Sequence, residues 1–172
     1  MQINISKTRR KIIINIINAL SIFFTIILAS NQPMPIPIPN TYHILIYMIC
    51  NMYLLANINN GISMKTKVLT TKHAIAKGMM GRKFTKEFFA LLFVMDNEDS
   101  PFWMKNCIVP LDVVFIKDSL VTKVHHSCPP CKPSTTCKHY SGKGDLVMEL
   151  PGGSCKALSI VRGSKITFSN LK

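Results

Sequence analysis

Leu111-Asp112-Val113-Val114-Phe115-Ile116-Lys117-Asp118-Ser119-Leu120-Val121-Thr122-Lys123-Val124-His125-His126 decides the fold. The first six residues form an apolar run interrupted by Asp112, rich in β-branched and aromatic side chains that suit a buried pleated strand. In the second half Leu120, Thr122 and Val124 share one face, opposite Val121, Lys123 and His125. Lys117-Asp118-Ser119 between them is a tight polar break, so residues 111–126 read as a β-hairpin.

Further strands are expected on both sides of the hairpin. Lys65–Leu69 alternates polar and apolar residues, Ala90–Met95 is a continuous apolar run of buried-strand length, and Leu146–Leu150 and Ile166–Phe168 add two more. Thr71–Met80 reads as a helix, capped by the hydroxyl of Thr70 or Thr71, with Ala74, Ile75, Gly78 and Met79 on one face. Ser154–Ile160 reads as a second short helix, entered through Pro151-Gly152-Gly153 and ended by Gly163. With no strand–helix–strand alternation in the pattern, the expectation is a mostly-β domain: a compact sandwich or small barrel with one or two short helices, not a parallel α/β sheet.

Composition separates this region from what precedes it. The chain has 172 residues, 21 Lys and Arg against 8 Asp and Glu, a formal charge of +13, and is 48% hydrophobic, which excludes a disordered polyelectrolyte and a collagen-like repeat. Residues 1–63 hold no acid, four basic side chains (Lys7, Arg9, Arg10, Lys11) and 17 of the 22 Ile. Residues 64–172 hold all eight acids and 17 bases, and are long enough to bury a core of their own. The division expected is therefore a hydrophobic leader, 1–63, and a β-rich globular domain, 64–172.

Ile12–Ser30 carries no charge and follows the basic cluster Lys7–Lys11, the layout of a signal peptide or signal anchor. Bulky residues at the positions before Ala29 or Ser30 favour an uncleaved anchor. Pro33–Pro39 alternates proline with Met and Ile and reads as a stiff connector. Tyr42–Ile58 is a second uncharged run, expected as a membrane helix at the short end of what can cross. With two spans, Lys65, Lys67 and Lys72 would share the inner side with Lys7–Lys11; with one, the globular domain lies outside. A membrane-associated protein with an external domain is the favoured expectation.

Phe102-Trp103-Met104-Lys105-Asn106, followed by Pro110-Leu111-Asp112, contains the sole Trp of the chain. Aromatic and sulfur side chains beside Lys, Asn and Asp can form a pocket with an apolar wall and a polar end, and Arg82, Trp103, Lys105, Asn106 and Asp112 are its candidate ligand-binding residues. A purely structural use is also open, with Trp103 and Met104 in the core and Asp112 paired with a backbone amide or with Arg82.

This block resembles the family known as domain of unknown function 192. The resemblance includes Lys77-Gly78-Met79-Met80-Gly81-Arg82 and Leu91-Leu92-Phe93-Val94 upstream, and Pro130-Cys131, Cys137-x-x-Tyr140 and Val147-Met148-Glu149-Leu150-Pro151-Gly152-Gly153 downstream. It covers residues 65–168 and implies a compact β-sandwich or barrel with a helix packed on one side, often behind a signal or anchor sequence, but no established activity. Two positions depart from the family pattern: Ala90, where a Gly is usual, and Ser164, where an acid usually follows Gly163.

Cysteines form the second constellation. Because the resemblance covers Cys131 and Cys137, it implies a two-cysteine feature, most simply a disulfide in an exported domain. Cys128, Cys131, Cys137 and His139 could instead supply four soft ligands to Zn²⁺, and Cys128-Pro-Pro-Cys131 could exchange disulfides. Cys131 or Cys137 with His125, His126 or His139 and Asp112 would also complete the inventory of a nucleophilic enzyme. No cofactor is expected, Zn²⁺ being the one candidate. The bases are spread through the domain and no nucleic-acid reader motif is present, so the expected partners are a membrane, through the N-terminal segment, and a small ligand or protein.

Overall fold

The computed structural model describes residues 53–59, 61–95, 98–131 and 136–170. Among them are strands β1 (Tyr53–Ile58), β2 (Ile62–Leu69), β3 (Ala90–Val94), β4 (Phe102–Trp103), β5 (Leu111–Lys117), β6 (Leu120–Cys128), β7 (His139–Tyr140), β8 (Leu146–Pro151) and β9 (Ile166–Asn170). Two short helices accompany them, α1 (Lys72–Lys77) and α2 (Ser154–Ala157). Seven strands make one sheet in the order β6-β5-β8-β3-β2-β1-β9, and β4 pairs with β7 separately.

The β5–β6 hairpin forms as the sequence reads. Asp118 and Ser119 both take positive φ, 51° and 66°, the backbone of a two-residue hairpin turn whose twist matches the strands, and Lys117 pairs with Leu120 around it. At the same end the two sheet edges meet. Val121 N–H donates to the Ser164 carbonyl at 2.9 Å and Ile166 N–H to the Ser119 carbonyl at 2.8 Å. Ser164, at a position where the resemblance leads one to expect an acid, supplies an acceptor with its hydroxyl, to Val161 N–H at 3.0 Å. The result is a half-barrel made from one curved sheet, not a sandwich of two.

Curvature gives the sheet two buried faces. Ala56, Leu92, Val114, Ile116, Met148, Leu150 and Ile166 pack inside the half-barrel. Leu91, Phe93, Val113, Phe115 and Val147 pack on the other face against Met79, Met104 and Tyr140. This is why β3, β5 and β8 are continuously apolar instead of alternating: both sides of the sheet centre are out of water.

Three expectations are corrected. First, β2 and β3 are parallel and joined through α1, one strand–helix–strand unit that the pattern did not show. It was hidden because the helix is short. The Thr71 hydroxyl accepts from Ala74 N–H at 3.2 Å as the expected cap, but the helix stops at Gly78, whose φ of 44° is readily reached only without a Cβ. Second, the helix expected over 154–160 spans only Ser154–Ala157 and ends at Leu158, with Ser159 at φ 52°. Third, the last six residues of the run expected as a second membrane helix, Tyr53–Ile58, are strand β1, antiparallel to both β2 and β9. This strand lies on the leader side of the division expected at residue 64. Among the described residues no helix is long and apolar enough to cross a membrane. Ile12–Ser30 and the proline connector lie outside the described residues, as does the rest of the second run.

Candidate functional site

A cleft of about 210 Å³ opens on the outer face of the half-barrel. Its near wall is α1 and the turn after it, from Ile75 to Met80; its far wall is Phe93, Met95 and Pro101–Trp103; Cys107 and Glu149 complete the lining. The near wall is held by backbone hydrogen bonds. Gly81 N–H donates to the Asn106 carbonyl at 2.9 Å and Arg82 N–H to the Met79 carbonyl at 3.0 Å. Phe102 stiffens the far wall, meeting Phe93 edge-to-face at 5.0 Å and Phe115 at 5.9 Å.

Trp103 stands at the rim, 48% exposed. The Lys105 ammonium lies 5.8 Å from its ring centroid and the His139 ring 5.8 Å away on the neighbouring strand β7. Met104 points the other way and is fully in the core. The structural alternative therefore holds for Met104 and not for Trp103.

Glu149 is the acid of the cleft. On central strand β8 it pairs in register with Leu91 of β3 and Val113 of β5, and it is only 4% exposed. Its Oε2 has no hydrogen-bond partner among the described residues. Loss of water pushes its carboxyl up to about 8. The neighbouring Cys107 thiol is pushed up to about 12, by desolvation first and by Glu149 second.

The five expected binding residues do not assemble as one site. Trp103 lines the cleft; Arg82, Lys105, Asn106 and Asp112 do not. Asn106, at φ 56°, contributes its carbonyl to the loop that carries Gly81. Asp112 follows the structural alternative, being wholly buried and committed to backbone amides. Its Oδ1 accepts from Ser127 N–H at 2.6 Å and Gly153 N–H at 3.0 Å, and its Oδ2 from Cys155 N–H at 2.6 Å. Ser127 lies in the bulge of β6, where two residues oppose Asp112, and Gly153 and Cys155 open α2, whose capping residue has no side chain. One carboxylate thus joins hairpin and helix.

Cys131 and Cys137 are joined in a disulfide, with Cα atoms 5.5 Å apart. Two of the four donors considered for Zn²⁺ are therefore bonded to each other, and among the described residues no group of three His, Cys, Asp or Glu is placed to hold a metal. Cys131 N–H donates to the Met104 carbonyl at 3.0 Å, which fastens the disulfide arm beside Trp103. Cys128 is buried against the Tyr140 hydroxyl and its thiol is pushed up to about 11, chiefly by desolvation, so it is held as a thiol at neutral pH. His125 Nε2 bonds the Ser141 carbonyl at 2.9 Å and its ring packs on Tyr140. Neither arrangement presents an activated nucleophile.

The match to known families follows this architecture. The model of DUF192, described as Uncharacterized ACR, matches residues 55–168, from within β1 to within β9. The chain belongs to the DUF192 family. No curated protein matches it. In fold the DUF192 domain is similar to a solved protein of Sinorhizobium meliloti described as a candidate transcription regulator, at 20% identity and a TM-score of 0.61, covering 70% of this chain and 97% of that one. It is also similar to a protein of unknown function from Novosphingobium aromaticivorans, at 24% identity and a TM-score of 0.56, covering 67% of this chain and 84% of that one.

Sequence reasoning passed over Glu149, which lies within the strand expected at Leu146–Leu150 and was not among the candidate site residues. The signal was nonetheless present: in the DUF192 domain the run Leu-Val-Met-Glu-Leu places one carboxylate inside an otherwise apolar strand, where it cannot be solvated. The 75–80 wall carried no such mark, because only the crossover through α1 brings it to the cleft.

Proposed function

We propose that this DUF192 domain is a small-ligand-binding module, held at a membrane by its leader, which takes its ligand in the cleft beside Trp103. The cleft carries this reading: a concave, mostly apolar recess of about 210 Å³ with one buried acid and a half-exposed Trp at its rim. An apolar cavity of about 150 Å³ accommodates benzene, so a single substituted ring is the right size. An indole kept half in water beside a recess is a ready contact surface for such a ring.

The membrane part of the proposal is supported by the uncharged run Ile12–Ser30 behind Lys7–Lys11. The Cys131–Cys137 disulfide suits an oxidising compartment, and with it a domain on the outer side.

Because Trp103 is the sole Trp, intrinsic fluorescence reports directly on the site. Titration with single-ring probes such as toluene and benzylamine is expected to give a saturable change for at least one. Ala76→Phe, which enlarges an exposed residue of the near wall, is expected to abolish it. An unchanged Trp103 signal with every probe would refute the cleft as a ligand site.

A further inference from the structure

We infer that the cleft selects small apolar primary amines, with the ammonium seated on the Glu149 carboxylate and the ring between Phe93, Met79 and Trp103. This inference rests on the cleft being the ligand site and adds the chemical class of the ligand. A carboxyl in the centre of a sheet, between Leu91 and Val113, with Oε2 unpartnered and the side chain 4% exposed, is costly unless something meets it. Among the described residues no donor meets Oε2, an atom itself closed to solvent, and Glu149 lines the cleft, so a ligand donor entering there approaches its carboxyl.

Among simple functional groups the primary ammonium fits this demand best. It brings three donors and a compensating charge, and a charge-assisted hydrogen bond in a desolvated site is roughly twice as strong as a neutral one. A neutral carbonyl could accept a proton from the acid form but would leave the remaining acceptor lone pairs unpaired. A hydroxyl could pair with them but brings no charge. The other titratable groups lining the cleft do not oppose the amine: Cys107 is a neutral thiol, and Lys77 sits on the exposed side of α1 where its charge is screened. Apart from Glu149, Cys107 and Lys77 the lining offers apolar side chains and Gly78, which suit a hydrocarbon body and exclude a second charged group from the interior.

Benzylamine, benzyl alcohol and toluene have nearly the same size and differ at one end, so they separate the two levels of the argument. At pH 8.5, where Glu149 has given up its proton and benzylamine is still an ammonium, benzylamine is expected to bind wild-type protein at least tenfold more tightly than either neutral probe, as read by Trp103 fluorescence and checked by calorimetry. In Glu149→Gln, which keeps the side chain's shape and removes the charge, that preference is expected to vanish while binding of toluene persists. Equal affinity for all three probes, tighter binding of benzyl alcohol, or an amine preference that survives Glu149→Gln would each overturn the amine inference and leave the cleft as a site. Binding of none of them would overturn the inference together with the ligand-site reading. Circular dichroism of Glu149→Gln is expected to match wild type, because a neutral amide relieves a buried acid instead of breaking a contact.

Discussion

Glu149 faces Leu91 across the β8–β3 pairing, a carboxyl held in register with a fully buried leucine. This pairing makes a pH dependence unavoidable. The folded protein keeps the Glu149 proton up to about 8, whereas the ordinary value of 4.5 applies once the chain unfolds. Between these values the folded state binds more protons, so stability falls as pH rises through that window and levels off above it. The full difference amounts to about 5 kcal/mol. Urea denaturation from pH 4.5 to 8.5 is expected to show the decline, and Glu149→Gln to flatten most of it.

Asp112 predicts the opposite kind of result. Asp112→Ala strips the acceptor from three backbone N–H groups at Ser127, Gly153 and Cys155 and leaves two of them at the start of α2 without a cap. A loss of about 3 kcal/mol is expected. Chemical denaturation measures it, and the response of Trp103 to probes in the folded variant should be unchanged, since Asp112 does not line the cleft.

Cys131 and Cys137 close a loop with a sequence separation of 6. By the chain-entropy account, opening so short a loop costs about 2 kcal/mol. Paired replacement by Ser and addition of reductant to wild type are expected to lower the denaturation midpoint equally. A loss of bound metal accompanying reduction would instead revive the zinc reading of Cys128, Cys131, Cys137 and His139.

Deletion of residues 1–40 is expected to shift the protein from the alkali-resistant membrane pellet to the supernatant while leaving the β1–β9 sheet intact. Fractionation with immunodetection reads the first outcome and circular dichroism the second.

The strands were legible because their signals are local. Val, Ile and Phe density marked β5, apolar runs marked β3 and β8, and Lys117-Asp118-Ser119 marked the turn. Tyr53–Ile58 was misread because a strand pairing on both sides, with β2 and β9, is as continuously uncharged as a membrane segment of the same length. The parallel β2–β3 pairing was missed because Gly78 cuts its crossover helix to a length that periodicity barely registers. At the site, Trp103 stood out by its rarity, whereas Asp112 looked like a binding acid in its motif and proved to be a backbone cap. Glu149 was marked by its place in an apolar run, but the cleft it lines is set by what surrounds β8 in three dimensions.

The central claim is that a ring-sized ligand occupies the cleft beside Trp103. Its most direct test is a methyl-labelled NMR experiment on the domain with saturating benzylamine, recording intermolecular contacts to the Met79 and Met80 methyl groups that line the near wall. The expected result is strong contacts from the aromatic protons to both methyls, lost in Ala76→Phe. Contacts only to methyls elsewhere, or none at a concentration that saturates the Trp103 response, would contradict it.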